Sequence, residues 1–130
     1  MSFAGTWTLI GQEGYEEFMK LMGVPEQYIA AGKNAPVSLV IQQNGNKFSV
    51  ETITGPQSWT DKFEIGLPAT ITGPGRKQMQ TVVVMENGSM QGEYDVGGAK
   101  IKACRELNGD ILYDILSVGD ITFKRTFSRK

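Results

Sequence analysis

The sequence predicts an all-β fold: a ten-stranded antiparallel up-and-down β-barrel capped by a lid of two short helices. Short segments in which apolar and polar residues alternate recur along the 130 residues, and asparagine-glycine pairs separate several of them. Closing such a meander into a barrel removes the exposed edges of the sheet. At 14.3 kDa the chain can bury a core without a disulfide, so we expect a single domain over residues 1–130.

The strands follow from this alternation and from the turn residues between them. Three pairs tolerate the positive φ of a two-residue hairpin turn: Asn44-Gly45, Asn87-Gly88 and Asn108-Gly109. The ten predicted strands lie near residues 5–12, 37–43, 47–54, 58–65, 69–72, 78–86, 89–95, 99–107, 110–117 and 120–128.

The predicted lid lies between the first two strands. Four apolar residues recur there at helical spacing and predict an amphipathic helix: Tyr15, Phe18, Met19 and Met22. Gly23 can end this helix, and Pro25 suits the first turn of a second one. We therefore expect a helical lid over about residues 14–32. The near-neutral charge favours a lid over a DNA-binding helix-turn-helix.

The composition excludes several classes of function. The 13 basic and 14 acidic side chains lack the basic surplus of a nucleic-acid-binding protein, so we expect no nucleic-acid partner. Without histidine and with a single cysteine, Cys104, the usual zinc sites and Ser/His or Cys/His pairs cannot form, and we expect no metal and no cofactor. The lone cysteine and the lack of an apolar leader or membrane-spanning run predict a cytoplasmic protein.

Two arginines lie on the apolar faces of their predicted strands, Arg105 in the eighth and Arg125 in the tenth. Two-residue turns at both ends of the ninth strand would place both arginines directly opposite Leu112, with Asp114 diagonal to each. Hydrophobicity alone favours the opposite face of the ninth strand, and we follow the register. An inward cluster of Arg105, Asp114 and Arg125 is therefore expected.

Two arginines beside one aspartate leave an excess positive charge in an interior of low dielectric constant. A bound carboxylate would neutralise it, and the planar fork of arginine can hold a carboxylate with two hydrogen bonds. In the alternative, Asp114, Glu106 or water satisfies the arginines without a ligand. The pattern by itself leaves both interpretations open. Asp61 and Thr52 are further inward polar residues, for which water is the favoured partner.

Several motifs resemble those of a known family. Gly5-Thr6-Trp7-Thr8-Leu9, followed by Gly14-Tyr15-Glu16-Glu17-Phe18-Met19, is similar to the signature of the intracellular lipid-binding proteins, the fatty-acid-binding protein family. The segments 106–110 and 119–125 look most like the liver-type members. The resemblance covers essentially the whole chain. It implies a β-clam, a ten-stranded barrel with a two-helix lid that encloses a cavity for fatty acids, bile acids or related lipids.

The resemblance also implies roles for single residues. Arg125 matches the family's internal carboxylate-binding arginine, and Arg105 matches a second arginine of the heart and adipocyte types, which have a tyrosine where this chain has Phe127. Asp114 stands where liver-type proteins have asparagine, and we hypothesise that it pairs with Arg105 and leaves Arg125 for the ligand. The expected ligand-binding set is Arg125, Arg105, Asp114, Leu112, Phe127, Phe123, Phe18, Leu39, Ile41, Val50, Thr52, Asp61, Phe63, Ile71 and Tyr94.

We expect a carrier of long-chain fatty acids and not an enzyme, with a bile-acid carrier of the same fold as the alternative. The carrier should be a monomer that contacts membranes transiently. Two other classes compete: an enzyme with Asp61 or Asp114 as general base, and an interaction domain whose arginine cluster is purely structural. Inward arginines without a nucleophile favour the carrier, and an arginine beside aspartate lowers the basicity that a general base needs.

Overall fold

A computed structural model describes residues 2–130 and confirms the predicted all-β fold. The chain forms eleven strands and two short α-helices. In chain order they are β1 (Gly5–Glu13), α1 (Tyr15–Leu21), α2 (Glu26–Gly32), β2 (Val37–Asn44), β3 (Lys47–Thr54), β4 (Gln57–Glu64), β5 (Pro68–Thr72), β6 (Gln78–Val82), β7 (Val84–Glu86), β8 (Ser89–Val96), β9 (Ala99–Asn108), β10 (Ile111–Val118) and β11 (Ile121–Arg129). A 3-10 turn, Pro74–Arg76, lies between β5 and β6.

The strands form a curled antiparallel sheet around a central space. Nine are hydrogen-bonded in the order β4-β3-β2-β1-β11-β10-β9-β8-β7, and β5 pairs with β6. β1 and β11, from opposite ends of the chain, are neighbours, which brings the two termini of the meander together. Within residues 2–130, no backbone ladder joins β4 to β5.

The strand predicted over 78–86 is divided at Val83. β6 pairs with β5 before this residue, and β7 pairs with β8 after it. The Val83 carbonyl accepts a hydrogen bond from the backbone N–H of Gly66 at 2.8 Å, outside both ladders. The segment 78–86 therefore pairs with β5 in its first half and with β8 in its second half. The alternation of side chains along the chain does not reveal this change, so the sequence predicted one strand.

One of the three predicted hairpin turns has the expected residues. Asn87 and Gly88, with φ of 52° and 83°, connect β7 to β8. The other two turns are wrong by one residue, since Gly45-Asn46 and Gly109-Asp110 connect their strands. In both, the positive φ falls on the first turn residue only, where glycine has no steric cost, so glycine takes this place and the preceding asparagine stays in the strand.

The helices cover one end of the sheet, as predicted. Phe18 of α1 is fully buried against Phe123 of β11, with ring centroids 5.7 Å apart. Tyr15 packs on the same ring and donates a hydrogen bond from its hydroxyl to the Ile29 carbonyl of α2 at 3.0 Å, which ties the two helices together. Among residues 2–130, neither helix has the length or the apolar run needed to cross a membrane.

Candidate functional site

The curled sheet and the helices enclose a cavity of about 810 Å³. Strand alternation explains much of its wall, because every second residue of β3 and β4 faces inward: Val50, Thr52 and Thr54, then Trp59, Asp61 and Phe63. Ten residues of the expected set line the cavity, namely Arg125, Arg105, Asp114, Phe123, Val50, Thr52, Asp61, Phe63, Ile71 and Tyr94.

The other five residues of the expected set do not line the cavity: Leu112, Phe127, Phe18, Leu39 and Ile41. They face inward, as predicted, but are almost completely buried in two apolar clusters of the core. Phe18 belongs to the cluster beneath the helices, and the other four belong to the cluster around Trp7. Residues that face inward therefore line either the cavity or the solid core. They belong to the core where neighbouring side chains leave no open space.

The polar centre of the cavity is the cluster of Arg105, Asp114 and Arg125. Asp114 lies directly opposite Arg105 on one side and directly opposite Arg125 on the other. The prediction that both arginines oppose Leu112 was wrong, because the turns at both ends of β10 are displaced by one residue. Moving a turn by one residue shifts the strand pairing by two residues, so Asp114 replaces Leu112 opposite each arginine. Because side chains alternate with a period of two, the same face of β10 still points inward. Asp114 is 4% exposed, whereas Tyr113 and Ile115 are only half-buried.

The pairing within this cluster differs from the hypothesis. The Arg125 Nη2 donates a close hydrogen bond to the Asp114 Oδ2, while the Arg105 Nε lies 3.5 Å from the Oδ1. Asp114 is therefore committed mainly to Arg125, and Arg105 is the less neutralised cation. The Arg125 guanidinium is also 5.4 Å from the ring centroids of both Phe123 and Phe127, its neighbours on the same strand face.

The charges of the cluster act on nearby titratable groups. Burial alone would raise the pKa of Asp114, but the charges and hydrogen bonds of Arg125 and Arg105 outweigh it and lower this pKa. Asp114 therefore stays ionised. Burial, followed by the negative charge of Asp114, raises the pKa of Tyr94 to about 12, so its hydroxyl remains a hydrogen-bond donor facing the cavity.

Several cavity residues were not predicted. Thr54 and Trp59 continue the alternation of β3 and β4, and this signal could have identified them. Gln12 could not be identified in this way, because a β-bulge between Leu9 and Gly11 reverses the alternation of β1 and places Gln12 directly opposite Arg125. Arg76 also lines the cavity, with its guanidinium 5.3 Å from the centroid of the Trp59 ring.

The turn between β5 and β6 contacts the end of α1 and the inward face of β4. The Lys77 ammonium donates a hydrogen bond to the Met22 carbonyl at the end of α1, at 2.7 Å. Beside it, the contact of Arg76 with Trp59 connects the same turn to β4. Within residues 2–130, no three histidine, cysteine, aspartate or glutamate side chains are arranged to hold a metal ion.

Comparisons with known proteins agree with this architecture. A model of the lipocalin / cytosolic fatty-acid binding protein family matches residues 1–130. The chain is 35% identical over 132 residues to the liver fatty acid-binding protein of Sus scrofa, with 99% of each chain covered. It is 31% identical over 130 residues to gastrotropin of Oryctolagus cuniculus, with 99% of this chain and 98% of that protein covered. Fatty-acid-binding protein 1 of Echinococcus granulosus has the same fold, with a TM-score of 0.89 at 23% identity over 98% of this chain and 96% of that chain.

Proposed function

The chain belongs to the lipocalin / cytosolic fatty-acid binding protein family, and we propose that it carries long-chain fatty acids in the internal cavity, with the carboxylate held by Arg105. Lipid carriage is the role that the names of its relatives indicate. The identity of the lipid and of the residue that holds it is our inference from the cavity. Burying an acyl chain there would contribute about 0.8 kcal/mol per methylene.

The observation that carries the proposal is the unequal sharing of Asp114. One carboxylate faces two guanidinium groups, and it hydrogen-bonds closely with Arg125 while it is 3.5 Å from Arg105. The two guanidinium groups together carry one positive charge more than Asp114 neutralises, and Arg105, the one in looser contact, is better placed to take a second anion in the cavity. A ligand carboxylate supplies the missing charge. Arg125, which the family resemblance had favoured, would then have a positioning role through Asp114.

A carrier needs no catalytic group, and we infer that the chain has no enzymatic activity. Asp114 is a poor general base because its pKa is lowered and both of its oxygens face arginines. We further propose a monomer that works in the cytoplasm, without a cofactor, and contacts membranes only while it collects or delivers lipid. The apolar side chains of Leu21 and Tyr28, exposed on the helices, support such contact.

A bile acid is the second candidate ligand. Polar side chains are spread over the cavity wall beyond the arginine cluster, among them Thr52, Asp61 and Thr81. A hydroxylated sterol acid could use such groups, whereas the acyl chain of a simple fatty acid could not. The fatty acid remains favoured because the wall is mostly apolar and one strong cationic group is enough to orient it.

The test is a calorimetric titration of the delipidated protein with oleate and, separately, with a conjugated bile salt. Losing a charge-assisted hydrogen bond costs about 1.5–3 kcal/mol, so Arg105→Gln should weaken oleate binding by about ten- to a hundredfold. Arg129→Gln is the matched control, since its guanidinium contacts Asp110 and the N-terminal segment outside the cavity. Tighter binding of the bile salt would favour the second candidate. Failure of both ligands to bind would refute the carrier proposal.

A further inference from the structure

Asp61 is the one carboxylate of the cavity wall that lies apart from the arginine cluster, among the residues that the structure describes. It sits on the inward face of β4 between Trp59 and Phe63, where the alternation would suit an apolar side chain. Its Oδ1 accepts hydrogen bonds from the backbone N–H of Thr72 at 3.0 Å and from the Thr72 hydroxyl at 2.9 Å. This contact bridges β4 and β5, which share no backbone ladder.

The bridge uses only half of the carboxylate. Two hydrogen bonds end on Oδ1, and Oδ2 accepts none from residues 2–130. A carboxylate offers about four acceptor positions. Since Asp61 is half-buried and lines the cavity, an acceptor is available to a hydrogen-bond donor inside it.

Asp61 and the arginine cluster lie on opposite sides of the cavity. If β6 and β7 are counted as one position, ten strand positions surround it, and β10 is five positions from β4 in either direction. Strands about 4.8 Å apart then enclose a barrel roughly 15 Å across. Arg105 and Asp61 project into this space from different sides, so an acyl chain with its carboxylate at Arg105 reaches Asp61 with carbons further along the chain, and not with the carbons next to the carboxylate.

The charges of the wall determine which kind of donor fits. Arg105 and Arg125 share Asp114 and can take a ligand carboxylate, whereas Arg76 is exposed and its charge is solvated; Asp61 already accepts two hydrogen bonds on its Oδ1. An ammonium group would have to give up much more hydration than a hydroxyl to reach Asp61 inside the cavity. An acid with a neutral hydroxyl satisfies both ends.

We propose that Asp61 is an acceptor subsite for a hydroxyl group distant from the ligand carboxylate, and that the preferred ligands are long-chain hydroxy acids. The inference rests on the proposed carrier function, because it takes the carboxylate to lie at Arg105. A ligand hydroxyl against an apolar part of the cavity wall would lose its hydrogen bonds to water and form no others. A hydrogen bond to the Asp61 carboxylate offsets that loss.

The experiment compares three acids of equal chain length on the delipidated protein: stearate, 12-hydroxystearate and 2-hydroxystearate. The quantity of interest is the preference ratio, the Kd of stearate divided by the Kd of 12-hydroxystearate. We expect Asp61→Leu to lower this ratio by about tenfold, which corresponds to one charge-assisted hydrogen bond. The 2-hydroxy acid, whose hydroxyl cannot reach Asp61, should show no such change. A ratio unchanged by Asp61→Leu overturns the proposal.

Two further variants make the result specific. Thr60→Val, on the exposed outward face of β4 next to Asp61, is the matched control and should leave the ratio unchanged; loss of the preference in this variant as well would show a general disturbance of the strand and overturn the proposal. If Asp61→Leu does not fold, Asp61→Asn decides, because its amide oxygen can still accept from Thr72 while the charge is gone. Its ratio should fall about threefold, and an unchanged ratio overturns the proposal. Binding of stearate with no role for Asp61 would leave the carrier function intact, whereas no binding of any acid would refute both.

Discussion

Asp114 of β10 lies directly opposite Arg125 of β11, and its carboxylate accepts a hydrogen bond from the Arg125 guanidinium inside the barrel. The same aspartate is also directly opposite Arg105, at a longer distance of 3.5 Å. One buried negative charge thus serves two positive ones unequally. Under the proposed function, the affinity of Arg105 for a ligand carboxylate therefore depends on Asp114 as well as on Arg105 itself.

Replacing Asp114 with asparagine tests this balance. Both guanidinium groups then lack a counter-charge, so the unliganded protein should lose about 3 kcal/mol of its free energy of unfolding. Oleate should bind about tenfold more tightly, because its carboxylate becomes the main counter-charge. Chemical denaturation and calorimetry measure the two effects. Asp110→Asn removes an exposed partner of Arg129 and should change neither quantity appreciably. Weaker oleate binding in Asp114→Asn would contradict the account.

The lowered pKa of Asp114 predicts a specific loss of stability in acid. An aspartate in the unfolded chain titrates near pH 4, above the pKa of Asp114 in the folded protein, so the unfolded state takes up the proton first as the pH falls. Its contribution is therefore complete above about pH 5 and is lost progressively below about pH 4. Urea unfolding measured from about pH 5 down to about pH 3 should show a smaller pH dependence in Asp114→Asn than in the wild type. Parallel curves would count against the assignment.

The hydrogen bond from Lys77 to the Met22 carbonyl predicts control of ligand exchange. Lys77→Met removes this link between the β5–β6 turn and α1. Fatty acid should then associate and dissociate about fivefold faster, as expected for the loss of about 1 kcal/mol, with little change in Kd. Stopped-flow fluorescence with a labelled fatty acid measures both rates. Lys62→Met, on the outward face of β4, is the control and should leave both rates unchanged. Unaltered exchange in Lys77→Met would show that the link does not limit access.

Cys104 should be unreactive despite its partial exposure. Burial, together with a hydrogen bond from its thiol to Glu106 at 3.4 Å, raises the pKa of Cys104 to about 11. Since the thiolate is the reactive form, a disulfide reagent at pH 8 should label the folded protein about a hundredfold more slowly than the unfolded protein. Glu106→Gln should accelerate labelling of the folded protein. Equal rates in the folded and unfolded states would exclude a raised pKa.

The sequence was sufficient to predict the fold and the inward-facing residues of most strands. Alternation and turn residues located ten strands, helical spacing located α1, and Gly23 and Pro25 located α2, because these signals are local. Even the unfavourable face of β10 was predicted correctly: Asp114 is buried although Tyr113 and Ile115 are more apolar neighbours. The hairpin pairing required this, because moving a two-residue turn by one residue shifts the pairing by two residues and leaves the same face of the strand inward.

The partners of the inward-facing residues were decided by the tertiary structure. Glycine at the first turn position displaced two hairpins, so that Asp114, and not Leu112, faces the two arginines. A bulge at Ile10, which is 59% exposed, turned Gln12 into the cavity. Register and bulges depend on which residues of two neighbouring strands pair through backbone hydrogen bonds. The alternation of side chains along a single strand does not contain that information.

The tertiary structure also decided which inward-facing residues line the cavity and which belong to the solid core. Leu112 and Phe127 have the same inward orientation as Arg105 and Arg125, yet they are enclosed by other apolar side chains while the arginines reach open space. The sequence by itself determined that the chain forms a lidded β-barrel with two arginines and an aspartate inside. Only the three-dimensional packing decided which arginine Asp114 contacts more closely and where open space remains in the interior, because both depend on how side chains of neighbouring strands pack against one another.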